Sequence, residues 1–296
     1  MGAPEPVVAN PSRGADPTAL EALLARDRLV VLVALSGVIV AAWAWLLAGA
    51  GMGADGSTPP AGASGHAGAG ASDHGMPAGG TAVHAMTPAA WTPGYALMMF
   101  FMWWVMMVGM MLPGAAPVLL LFARVNRKEK AGGRPYVPTA IFAAGYLVVW
   151  AGFGAVAAGL QWGLQRLGLV SPTMTTSSMW LGGSVLLAAG LWQLTPVKDV
   201  CLRHCRSPIR FLAEGWRPGR RGAFRMGLHH GAYCLGCCWF LMGLLFFGGI
   251  MNLYWIAGLA AYVLLEKTAP MGRWLARGTG VVLAAWGIAV LAVAAT

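Results

Sequence analysis

Residues 226–242, MGLHHGAYCLGCCWFLM, set two histidines and three cysteines inside an apolar stretch long enough to cross a bilayer. At the helical period, Met226, His230, Cys234 and Cys237 project from one face, with His229 and Cys238 beside it. Thioether, imidazole and thiolate donors on one face suit a soft ion. Cu(I) comes first, with zinc as the alternative when imidazole and thiolate close a four-coordinate shell. A free cysteine alone is also a small buried hydrophobe. Histidine in lipid, however, costs kilocalories unless partnered, so this stretch is expected to bind metal.

A second thiol pair lies upstream in TPVKDVCLRHCRSP, where Cys201 and Cys205 are four residues apart and His204 stands between them. On a helical turn both thiols face one way, as two ligands or a dithiol would. The flanking Lys198, Arg203 and Arg206 are expected to lower the thiol pKa values and favour thiolate.

Two weaker ligand sets precede these. The segment MMFFMWWVMMVGMMLP holds seven methionines, of which Met99, Met102, Met106 and Met110 form one stripe by steps of three, four and four. Methionine is a common filler of irregular cores; the alternative is a thioether ladder passing a soft ion inward, with Pro113 and Pro117 loosening backbone carbonyls at its inner end. Further upstream, His66 lies in a Gly/Ala/Ser-rich stretch that repeats His74-Gly75-Met76 as His84-Ala85-Met86. His74, Met76, His84 and Met86 are copper-suited donors in a loop with no lysine or arginine to repel a cation.

The elements that must carry these residues follow from composition. The chain is 58% hydrophobic, 10% charged and has a mean hydropathy of +0.65, which excludes an ordinary soluble domain and predicts an all-α polytopic membrane protein. Apolar runs near 29–50, 95–122, 139–163, 177–196, 226–250, 252–266 and 279–295 predict about seven transmembrane helices, or six if the short sixth run does not span. Lysine and arginine gather at 124–134 and 198–225, and by the positive-inside rule these loops and the N-terminus are expected to be cytoplasmic. The net charge of +10 then reflects topology and anionic-lipid contact rather than nucleic-acid binding.

This organisation divides the chain into a loosely ordered cytoplasmic tail at 1–28, a first membrane helix at 29–50, an external His/Met loop at 51–92 and a helical membrane domain at 93–296. The acidic residues of the tail favour a retained anchor over a cleaved signal. Gly227-x-x-x-Gly231 predicts a close neighbouring helix beside the ligand face. Cys234 to Cys238 fall roughly 12–18 Å below Met226, near mid-membrane. Glu266, at the end of the sixth run, is expected to snorkel, to pair with Lys267, Arg273 or Arg225, or to offer an oxygen ligand.

The motifs PVKDVCLRHCRSP at 196–208, GAYCLGCCWFLM at 231–242 and GGIMNLYW at 248–255, with Glu266-Lys267 and Met-Met-Leu-Pro at 110–113, resemble an uncharacterised bacterial family of predicted metal-binding integral membrane proteins. The resemblance runs from about residue 90 to the C-terminus and implies metal binding through the cysteines. It implies no established activity.

The expected function is to bind copper in the cytoplasmic (inner) membrane for transport, delivery or homeostasis. The partners are the lipid bilayer, the ion, and a metallochaperone or a copper enzyme under assembly. No phosphate loop or aspartate-phosphorylation motif accompanies the site, which argues against ATP-driven pumping within the chain. Two enzymatic alternatives stay open. Cys234-x-x-Cys237 suits a thiol-disulfide oxidoreductase trading electrons with Cys201 and Cys205, and methionine with histidine suits a copper-dependent membrane redox enzyme.

Overall fold

Long apolar runs rich in small residues fold as helices whose backbones satisfy themselves, and such helices then pack by close approach. The computed structural model describes residues 17–49, 91–131, 137–171 and 175–296. Among these residues all regular elements are helical: α1 (Pro17–Leu47), α2 (Pro93–Ala131), α3 (Thr139–Arg166), α4 (Met179–Leu194), α5 (Pro196–Arg206), α6 (Pro208–Gly215), α7 (Gly219–Gly243), α8 (Leu245–Gly248), α9 (Leu253–Thr268) and α10 (Gly272–Ala294). The tail before Pro17 and the loop carrying His66, His74, Met76, His84 and Met86 lie outside the described residues.

Five helices are long and apolar enough to cross a membrane, or six if the bent pair α4–α5 is one broken span. Six is the lower of the two counts expected, and local caps account for the short helices. The Thr195 hydroxyl accepts from the Lys198 N–H, and Pro196 opens α5 at its first turn, so the chain bends by 67° after α4. At the other short run, Gly249 adopts a φ of +96°, and the Asn252 side chain caps α9 by accepting from the Trp255 N–H. The run expected at 252–266 is therefore a 16-residue helix. At the start of the chain, α1 begins at Pro17, well before residue 29.

Two glycine seams hold the helices. Gly227 and Gly231 of α7 lie against the Phe142 carbonyl and Val149 of α3, while Gly145 of α3 faces the Phe224 carbonyl. This is the close approach expected of Gly-x-x-x-Gly. A second seam joins α4 to α10, with Gly183 and Gly190 set against the Gly287 and Gly280 carbonyls. Between the seams, α2 is anchored to α3 by indole donors: Trp103 Nε1 to Gln161 Oε1 at 2.8 Å and Trp104 Nε1 to the Leu147 carbonyl at 3.2 Å. Asn126 bonds both ways to the Val137 backbone and fixes the return from α2 into α3.

Candidate metal centre

The α3 seam turns the cysteine face of α7 inward, and Cys234, Cys237 and Cys238 are fully buried. On α7 itself the Cys237 and Cys238 thiols donate to the Cys234 carbonyl at 3.1 and 2.9 Å. What converges on them comes from four other helices. From α2, Met111 Sδ lies 3.8 Å from Cys238 Sγ. From α5, Cys205 is half-buried and packs against the core that holds Cys234 and Cys237. Cys201 lies over Gly236, where an added Cβ would stand 2.9 Å from its Sγ. The segment expected as a cytoplasmic loop is thus a pair of helices, and the first of them lays its dithiol face on α7.

The third contribution, from α9, is a charge that sequence reasoning missed. Lys267 is 7% exposed, and its Nζ lies 3.0 Å from Cys234 Sγ and 4.0 Å from Met111 Sδ. Tyr146 of α3 completes the surroundings, with its hydroxyl 3.1 Å from Cys234 Sγ and donating to the Met111 carbonyl at 3.0 Å. Cys234 therefore sits beside an ammonium, which stabilises a thiolate, while the Tyr146 proton is engaged at the Met111 carbonyl.

The neighbouring charges are arranged otherwise than expected. Glu266 does not snorkel, nor does it pair with Arg225, Arg273 or Lys267; its carboxylate meets Lys198 Nζ at 2.5 Å, with both side chains at most 2% exposed. Lys198 is thereby withdrawn from the role of thiol activator. Arg203 Nε donates to the Asp199 carbonyl at 3.2 Å, and Arg206 donates to the carbonyls of Ala269 and Pro270. The cation at the thiols is Lys267, far from Cys201 and Cys205 in sequence.

The histidines form a separate, aromatic zone. His230 is 2% exposed and ringed by Phe211, Tyr146 and Phe142 at centroid distances of 5.2, 5.8 and 6.2 Å. Its Nδ1 has no hydrogen-bond partner among the described residues. His204 stacks on Tyr233 at 4.0 Å, and His229 meets the same ring edge-on at 4.8 Å. His204, His229 and Met226 line one cavity of about 430 Å³ with Arg217 and Arg225 on its wall, and Met226 Sδ accepts from the Arg217 N–H at 3.3 Å. Among the described residues, no three His, Cys, Asp or Glu side chains stand as a ready metal shell. The donors that do converge are thiols and a thioether, a set that fits a low-coordinate soft ion better than tetrahedral zinc.

The methionine stripe is core. Met99, Met102, Met106 and Met110 are at most 2% exposed, and Met99 Sδ accepts from Gln161 Nε2 at 3.6 Å. It is Met111, off that stripe, that touches the thiols. The sequence signal for Met111 was its place in Met-Met-Leu-Pro, and for Lys267 its position closing an apolar helix.

A family model described as "PpoB2: Copper chaperone" matches residues 100–290, a span that contains every member of the sulfur cluster. No curated protein and no solved structure matches the chain.

Proposed function

This chain belongs to the PpoB2 copper chaperone family, and we propose that it binds copper through the sulfur cluster inside the cytoplasmic membrane and hands it on to a partner. The carrying observation is that sulfur from α2 and α7 meets at one buried place, Met111 Sδ 3.8 Å from Cys238 Sγ, with the Cys201 and Cys205 helix α5 packed beside it. A dithiol laid beside three further thiols is suited to ligand exchange, in which an incoming thiolate takes up the ion as an outgoing one leaves. Copper is the cargo in this reading.

The route follows the donors. His74, Met76, His84 and Met86 collect the ion outside, and the Met99–Met110 stripe of α2 leads toward Met111. Cys234, Cys237 and Cys238 hold it, and Cys205 with Cys201 exchanges it toward the cytoplasm. His230, His229, His204 and Met226 serve the cytoplasmic approach, where His204, His229 and Met226 line one cavity. The recipient is a metallochaperone or a copper enzyme under assembly. The helices long and apolar enough to cross a membrane support a multi-pass inner-membrane location.

Elemental analysis after anaerobic Cu(I) loading tests the reading. The detergent-purified chain should retain near-stoichiometric copper, and the C234S/C237S/C238S variant should retain almost none. Equal, negligible copper in both would overturn it.

A further inference from the structure

We propose that Lys267 makes this site select a monovalent soft ion over a divalent one, an inference that rests on the copper reading above. Thiolates bind Cu(I) and Zn(II) alike, so ligand type alone does not separate the two. Charge does. The Lys267 stem passes Gly114, where an added Cβ would come within 3.2 Å of Cδ, and its ammonium ends 3.0 Å from Cys234 Sγ. The carboxylate next to it in sequence does not cancel this charge at the thiols, because Glu266 is held by Lys198 at 2.5 Å. Adjacent residues of a helix point in different directions, and α9 uses this to give Glu266 to α5 and Lys267 to the sulfurs.

A cation bound at Cys234 shares that sulfur with the ammonium. Two thiolates and one ammonium carry one net negative charge, which a monovalent ion neutralises. A divalent ion leaves a net positive charge buried where its solvation is poor. Additional thiolates change the sum but not the difference, because repulsion from Lys267 scales with the charge of the ion at a given position. If the ammonium weakens a monovalent ion about tenfold, it weakens a divalent one about a hundredfold, since the energy doubles and the affinity ratio squares. The sulfur atoms attract soft ions as a class, and Lys267 supplies the repulsive element that rejects part of that class.

The test uses the full chain in detergent. Affinities for anaerobic Cu(I) and for Zn(II), each measured by competition with a chelator, are compared among the parent, K267Q, K267M and K267R. Loss of the ammonium also makes the thiols harder to ionise, a penalty on both metals, so the readout is the ratio of Zn(II) to Cu(I) affinity. K267Q and K267M should raise it by about tenfold or more, and K267R should stay within about threefold of the parent. An unchanged ratio in both neutral variants, with Cu(I) still held by the parent, would overturn the inference while leaving the copper reading intact. A parent that binds no Cu(I) overturns both. A contrast that needs no variant repeats the comparison in the parent with Ag(I) and Cd(II): Ag(I) should be retained and Cd(II) rejected, and equal retention overturns the role given to Lys267.

Discussion

Two buried lysines stand on either side of the end of α9, and the chain treats them oppositely. Lys198 faces a carboxylate at 2.5 Å, the ordinary ion-pair partner of a lysine. Lys267 faces sulfur, whose charge is present only when the thiol is ionised. The first arrangement is a structural clasp that ties α5 to α9, and removing one partner strands the other in a medium that solvates it poorly. The second is conditional, because a neutral thiol or a bound cation changes what the ammonium meets. Burial of both therefore tells little about role; the chemistry of the partner tells more.

The sharpest way to break this comparison is E266Q. With Lys198 left uncompensated, stability should fall by about 3–5 kcal/mol, seen as loss of folded protein in detergent unfolding curves. The double change K198M/E266L should recover most of that loss, because a well-packed apolar pair replaces a buried ion pair at little cost. K267M should cost far less, about 1 kcal/mol, since the thiols can turn neutral once the ammonium is gone. A K267M penalty as large as that of E266Q would erase the distinction.

At the seam that orients the cysteines, G227A drives a methyl group into the Phe142 carbonyl. It should destabilise by about 1–3 kcal/mol and lower copper retention through misplacement of α7, measured on the same samples. M111L conserves volume and should cost under about 1.5 kcal/mol in unfolding curves. It should nevertheless weaken Cu(I) several-fold in chelator competition if the thioether is a ligand. The smallest effect belongs to H230F, within about 1 kcal/mol, because the ring is surrounded by aromatics and its Nδ1 makes no hydrogen bond among the described residues. Undiminished copper retention in H230F would confine the ligand set to sulfur.

These contrasts also mark how far the sequence could be read. The helical class and the inward face of Cys234 and Cys237 follow from apolar run length and the helical period, which are local properties. So does the approach of a neighbour at Gly227 and Gly231. The apolar runs at 177–196 and 252–266 fold as 16-residue helices bounded by Thr195-Pro196 and by Asn252, caps that hydropathy does not weigh. Sequence adjacency sets Lys198 beside the α5 thiols and Glu266 near Arg225, Arg273 or Lys267, because the actual pairing depends on which helices α9 packs between. Met111 falls off the methionine stripe and is marked in the sequence only by Met-Met-Leu-Pro, yet it is the methionine that α9 and α7 reach. His230 has the right spacing and the wrong surroundings, since its neighbours from α3 and α6 are aromatic.

The seam between α4 and α10 carries a consequence for how the protein is made. The glycine face of α4 is filled by Gly280 and Gly287 of a helix that follows every other described element in the chain. A ribosome delivers elements in order, N-terminal first, so the cysteines of α7 emerge while α4, and the dithiol helix tethered to it through Thr195, still lack their support. Closure of this seam thus waits for α10, and until then the nascent chain offers thiols that lack their final surroundings.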